Sequence, residues 1–169
     1  MLALEDYLKA PGDPECEFVD GGLLDRDIGD VRHSATTGIV AILLHNHCRE
    51  HKAHLFPSLS MQVSPTRIRI PDVVVTPRKV THGILREPPF LCIEILSPED
   101  RASRIEKKID DYLRFGVQNV WIIDPADRTG WAYTREGRRE STGMLTTADP
   151  ALTLSLKEVF EALEEDVEQ

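Results

Sequence analysis

Between Ser34 and about Glu50, apolar Ile39, Val40, Ile42, Leu43 and Leu44 recur at helical spacing, which predicts a helix with Ser34 as its N-cap. A second helix is predicted over residues 104–115. Ser103-Arg104-Ile105-Glu106 has the form of a capping box, in which hydroxyl and carboxylate each take up an orphan backbone N–H, and Gly116 stands where a left-handed residue would close the last turn. Residues 2–9 and an acidic stretch from about Lys157 to Gln169 complete the helical set. Strand patterns fill the rest. Phe90 to Leu96 and Val120 to Ile123 are nearly continuous apolar runs closed by Ser97-Pro98 and Asp124-Pro125, the signature of strands covered on both faces. Cys16 to Leu24 reads as a hairpin around Asp20-Gly21-Gly22, Met61–Ser64 and Ile68–Val75 as a hairpin across Ser64-Pro65-Thr66-Arg67, and Trp131 to Arg135 followed by Glu136-Gly137 as a third. Leu152, Leu154 and Leu156 alternate just before the last helix. The order is close to α-β-β-β-α-β with hairpins near both ends, an α/β arrangement with a mixed β-sheet and flanking helices. No linker or repeat interrupts it, so residues 1–169 are expected to form one domain.

Composition adds limits. A chain of 169 residues buries roughly 70% of its unfolded surface and needs neither disulfide nor structural metal to hold a core. Cys16, Cys48 and Cys92 lack the paired spacing of a zinc or redox motif and are expected to be buried, reduced thiols. No apolar run approaches the roughly 20 residues of a membrane span, and the acidic opening is unlike a signal peptide, so a cytoplasmic protein is expected. The net charge of −9 weighs against a nucleic-acid partner, whose affinity rests on lysine and arginine. Its distribution softens that objection: residues 1–30 carry −7 and residues 157–169 carry −5, leaving residues 31–156 at +3.

Three residues stand out chemically. Asp72 follows Pro71 within an apolar strand pattern, and Glu94 lies in the middle of the most apolar run of the chain. A carboxylate in either place must be desolvated unless something compensates it. On a strand Cys92, Glu94 and Leu96 share a face. If the neighbouring strand turns Asp72 to that face, two hard oxygen ligands converge in a way that suits Mg²⁺ or Mn²⁺. On the predicted helix Lys108 borders the stripe of Ile105, Ile109, Tyr112 and Leu113 while Lys107 points to solvent, so Lys108 is the cation able to reach the sheet.

Pro71-Asp72, Glu94-Ile95-Leu96-Ser97-Pro98, Lys108-x-x-x-Tyr112-x-x-x-Gly116-Val117 and Trp121-Ile122-Ile123-Asp124-Pro125 together resemble the Uma-type restriction endonucleases of the PD-(D/E)XK superfamily. Cys16-Glu17-Phe18-Val19-Asp20-Gly21 and His33 resemble that family's opening Y-E-L-I-D-G and helix-leading histidine, with Cys16 in place of the tyrosine. The resemblance runs from about residue 16 to 160. It implies a restriction endonuclease-like core and hydrolysis of DNA phosphodiester bonds with Mg²⁺ or Mn²⁺. Asp72, Glu94 and the Ile95 carbonyl would be metal ligands, Lys108 the base or phosphate clamp, and Glu17 and His33 further members of the site. The lysine that the superfamily places two residues after the glutamate is Leu96 here, a feature shared by the Uma-type proteins, and Lys108 would take over its part. A homodimer, with one site for each strand, is expected by the same analogy.

Two other readings compete. A nuclease fold kept only as a binding module or scaffold would carry much the same sequence. His47-x-x-Glu50-His51 fits the H-x-x-E-H pattern of a zinc protease, which needs a third ligand from a second helix. Arg78, Lys79, Arg86, Arg101 and Arg104 are expected to flank the carboxylates, where they either contact phosphates or form an ordinary solvated surface.

Overall fold

The computed structural model describes residues 2–9, 16–26, 29–81, 83–98, 100 and 102–167. In chain order its elements are α1 (Leu4–Lys9), β1 (Cys16–Val19), β2 (Gly22–Asp25), α2 (Val31–Glu50), β3 (His54–Pro57), β4 (Met61–Ser64), β5 (Arg67–Arg69), β6 (Val73–Thr76), β7 (Leu91–Ile95), α3 (Ala102–Phe115), β8 (Asn119–Asp124), β9 (Thr129–Thr134), β10 (Gly137–Ser141), β11 (Met144–Thr146), β12 (Thr153–Ser155) and α4 (Leu156–Val167). Six strands form the main sheet in the order β10-β9-β8-β7-β6-β3, four form a smaller sheet in the order β2-β1-β5-β4, and β11 pairs with β12. In the main sheet only β7 and β8 run parallel. A parallel pair needs a crossover, and α3 supplies it. This is the α/β architecture with a mixed sheet that the apolar pattern predicts.

Alternation along the strands sends side chains into two cores. Val73, Val75, Ile93, Ile95, Trp121 and Ile123 pack against Val40 and Leu44 of α2 and Val159, Phe160 and Leu163 of α4. Val74, Cys92, Val120 and Ile122 pack on the opposite face against Ile105, Ile109 and Tyr112 of α3 and Met61 and Val63 of β4. All three cysteines are buried and free. No helix among the described residues is long and apolar enough to cross a membrane.

Several boundaries differ from the sequence-based expectation. Helix α2 starts at Val31, not at Ser34: Asp30 is the N-cap, its carboxylate accepting the His33 N–H at 2.8 Å. A carboxylate there also meets the positive end of the helix dipole, which a hydroxyl does not. Ile42, assigned to the apolar stripe, is 72% exposed, and Ile39, Val40, Leu44 and Cys48 are the buried positions. Ser103 lies inside α3 and does not cap it. Gly116 does close that helix, at φ +113°, its N–H and that of Val117 both donating to the Tyr112 carbonyl. Strand β3 is absent from the predicted set.

The most consequential difference is in Ile68–Val75, expected as one strand. It breaks into β5 and β6, which belong to different sheets. Pro71 has no N–H to give to a ladder, and the Ile70 N–H donates to the Glu17 carboxylate at 3.0 Å. The chain therefore leaves the small sheet after Arg69 and enters the main sheet at Val73, with Asp72 at the seam.

Candidate active site

The pairs Val73–Ile93 and Val74–Cys92 of the antiparallel β6–β7 ladder place Asp72, one residue before β6, across from Glu94. Val74 and Cys92 face α3, so the alternation turns both carboxylates to that side. Oδ2 of Asp72 accepts the Ile95 N–H at 2.8 Å, a side chain occupying the place that a strand carbonyl would take had β6 begun earlier. From α3, Lys108 brings Nζ to 3.0 Å from Glu94 Oε2 and 3.2 Å from Glu17 Oε1. One turn later the Tyr112 hydroxyl donates to Glu94 Oε1, because residues four apart lie one above the other on a helix. Glu17, on β1, reaches the cluster because β1 pairs with β5, which ends just before the seam at Asp72. Glu17, Asp72, Glu94 and Lys108 expose only 0%, 5%, 3% and 7% of their surface.

Asp72, Glu94, Lys108, Glu17 and His33 thus stand in one group. His33, in the first turn of α2, sets Nε2 3.2 Å from Asp72 Oδ2, and Arg26 donates to Oδ1 at 3.1 Å. Gly29 makes room for this histidine: a Cβ there would lie 2.2 Å from its Nδ1. Behind Glu17 runs a second line of charge that sequence reading missed. Arg69 donates to Glu17 at 2.7 Å and to Asp111 at 2.9 Å, and Arg67 joins Asp111 at 2.7 Å and Asp20 at 2.6 Å. Its signal is the alternation Arg67-x-Arg69, which puts two guanidiniums on one face of a strand, and Asp111 one turn after Lys108. Tyr112, taken as plain core, is also the donor that holds Glu94.

Burial pushes the Glu94 carboxyl up to about 7, Lys108 pulling it down and Asp72 and Glu17 adding repulsion. Lys108 is itself raised, because the three carboxylates outweigh the burial that would lower it, so it stays protonated. Asp72 is likewise buried, yet its hydrogen bonds from His33 and Ile95 and the charges nearby hold it below the usual carboxylate range. The same hydrogen bond raises His33. Glu17 is lowered, Lys108 and Arg69 overcoming its burial.

Arg26, His33, Asp72, Glu94, Ile95, Arg104 and Lys108 line a polar cavity of about 30 Å³, enough to hold a water. Among the described residues no group of three or more His, Cys, Asp and Glu is set to close on a metal. A cation here would have two carboxylates, backbone oxygen and solvent around it. That donor set is hard and oxygen-only and fits Mg²⁺ or Mn²⁺. The zinc-protease pattern fares differently. His47, Glu50 and His51 lie at the far end of α2 from His33. They find no third ligand among the described residues. Arg78, Lys79 and Arg86 do not flank the carboxylates; they line a separate cavity beyond Thr76, the end of β6 opposite Asp72. Arg104 does border the cluster, and Arg101 lies outside the described residues.

A profile of the Uma2 family, described as "Putative restriction endonuclease", matches residues 4–168. The structure also superposes on the crystal structure of "a putative nuclease belonging to DUF820" from Anabaena variabilis ATCC 29413, with a TM-score of 0.86 and 24% identity over 96% of this chain and 99% of the other. At that identity the likeness speaks for the shared fold. No curated protein matches the chain. With the family profile spanning almost every residue of the chain, and the fold shared with that structure, the protein belongs to the Uma2 family.

Proposed function

We propose that this chain is a divalent-metal-dependent DNA endonuclease whose centre is Asp72, Glu94 and Lys108. The observation that carries the reading is that Asp72 and Glu94, from a strand pair in register, face the same side of the sheet with Lys108 Nζ 3.0 Å from Glu94 in a cavity that opens among polar groups. Asp72, Glu94 and the backbone carbonyl of Ile95 would hold the ion, which would supply Lewis-acid stabilisation of a scissile phosphate. Protonated Lys108 donates N–H to phosphate oxygens as charge builds on them, and so acts as a clamp and not as a general base. Tyr112 and Glu17 fix the positions of Glu94 and Lys108, while Arg26 and His33 keep Asp72 ionised and aimed. Two copies acting together would offer one site to each strand of a duplex.

The test is cleavage of supercoiled plasmid and of single-stranded DNA with Mg²⁺, with Mn²⁺ and with EDTA. The wild type should nick or cut only with metal, and Asp72→Ala or Glu94→Ala should abolish cleavage while circular dichroism stays native. Cleavage that survives either substitution or EDTA overturns the assignment. A folded wild type that binds DNA but cuts none with either ion overturns it in favour of a binding module.

A further inference from the structure

Helix α3 leaves part of the β8–β9 surface uncovered, and a cavity of about 590 Å³ lies there. Trp131 and Tyr133, two residues apart on β9, turn half-buried rings to it, and Ile105, Ile109 and Ile122 supply apolar walls. Ser97 and Asp100 line both this cavity and the small polar one at Asp72, Glu94 and Lys108, so the two adjoin. Four carboxylates, of Asp30, Asp100, Glu106 and Asp124, border the larger cavity against the two guanidiniums of Arg32 and Arg138.

We propose that this cavity receives one unpaired nucleobase of the strand cut at the adjoining carboxylates, which makes the substrate DNA with a single-stranded or unstacked segment. The inference rests on the nuclease reading and deepens it. Its size suits a small organic ligand, for which pockets of roughly 300–1,000 Å³ are usual. A surplus of carboxylates repels a second phosphate but accepts hydrogen bonds from the exocyclic amino groups of a neutral base. Two rings side by side on one strand give such a base a stacking platform. The shared walls put base and phosphate in neighbouring compartments, as one nucleotide requires.

The experiment uses a single-stranded oligonucleotide carrying 2-aminopurine, titrated in EDTA so that binding is read without cleavage, beside a metal-dependent cleavage assay on the same strand. Wild-type protein should quench the 2-aminopurine. Trp131→Ala should weaken binding about 5- to 150-fold, the equivalent of the roughly 1–3 kcal/mol that a stacked base contributes, and Trp131→Phe should restore most of it. Ala126→Trp, which plugs the cavity from an exposed turn residue, should weaken binding without removing any sheet side chain, and so serves if Trp131→Ala does not fold. Affinity unchanged in both Trp131→Ala and Ala126→Trp overturns the base pocket, and leaves the nuclease reading standing if metal-dependent cleavage persists. Quenching through Trp131 with no cleavage under any condition supports the pocket and overturns the nuclease reading.

Discussion

Replacing Glu94 by glutamine should stabilise the metal-free protein at neutral and alkaline pH while destroying its activity. The carboxyl titrates near 7 in the fold against an ordinary 4.5, because burial disfavours its charged form and Asp72 and Glu17 repel it, which Lys108 does not offset. The folded state therefore binds this proton more tightly than the unfolded chain, and stability falls as pH rises between those two values. At about 1.4 kcal/mol for each pH unit that separates them, the ionised glutamate costs about 3 kcal/mol above pH 7. Glutamine keeps the shape without the charge: its carbonyl still accepts from Lys108, and its amide faces the Tyr112 oxygen. For a chain of this size about 3 kcal/mol corresponds to roughly 6–12 °C in Tm. Urea denaturation in EDTA at about pH 8 should find Glu94→Gln more stable by that margin, and the difference should shrink below about 1 kcal/mol near pH 5. Equal stabilities at both pH values, or a variant less stable at the higher one, would refute the reasoning.

Three further outcomes follow from the same geometry. The imidazole of His33 should titrate above its ordinary value in wild type and move back down in Asp72→Asn and in Gly29→Ala, whose new methyl group pushes the ring off Asp72; NMR titration reads both changes. Because a raised histidine stabilises below its unfolded pKa and loses that contribution as pH rises through its folded one, wild type should lose more stability than Asp72→Asn across the range just above the ordinary histidine value. Tyr112→Phe, at a fully buried position, removes the donor to Glu94 and should cost about 1–3 kcal/mol in chemical denaturation at neutral pH, with the Glu94 carboxyl titrating still higher. Asp111→Ala leaves the buried Arg69 with Glu17 alone and should cost about 3–5 kcal/mol, whereas Arg114→Ala, which breaks only an exposed pair with Asp110, should cost less than about 1 kcal/mol.

Much of this was legible in the chain because it depends on local rules. An acidic residue inside an apolar strand run is an anomaly visible without coordinates, and helical periodicity alone told Lys108 from Lys107. What escaped were features fixed by partners distant in sequence. The Ile68–Val75 run is apolar and β-branched over most of its length, and only the Glu17 carboxylate taking the Ile70 N–H, together with Pro71, reveals that it spans two sheets. Arg69 and Asp111 are 42 residues apart, so no spacing rule pairs them. Ser34 was the expected cap, and the helix starts earlier because the Asp30 carboxylate meets the His33 N–H and the dipole together. Arg78 and Lys79 looked close to Asp72 in sequence, but an extended strand carries residues apart at about 3.3 Å each and delivered them to the opposite end.

The central claim is that Asp72 and Glu94 form one cation-binding centre. Calorimetric titration of Mn²⁺ into the wild type and into the Asp72→Asn/Glu94→Gln double variant tests it without knowledge of the DNA target. The wild type should bind the ion with heat and with release of the proton from Glu94, more of it below pH 7 than above, and the folded double variant should bind none. Binding of equal strength in both proteins, with no pH dependence, would contradict the account.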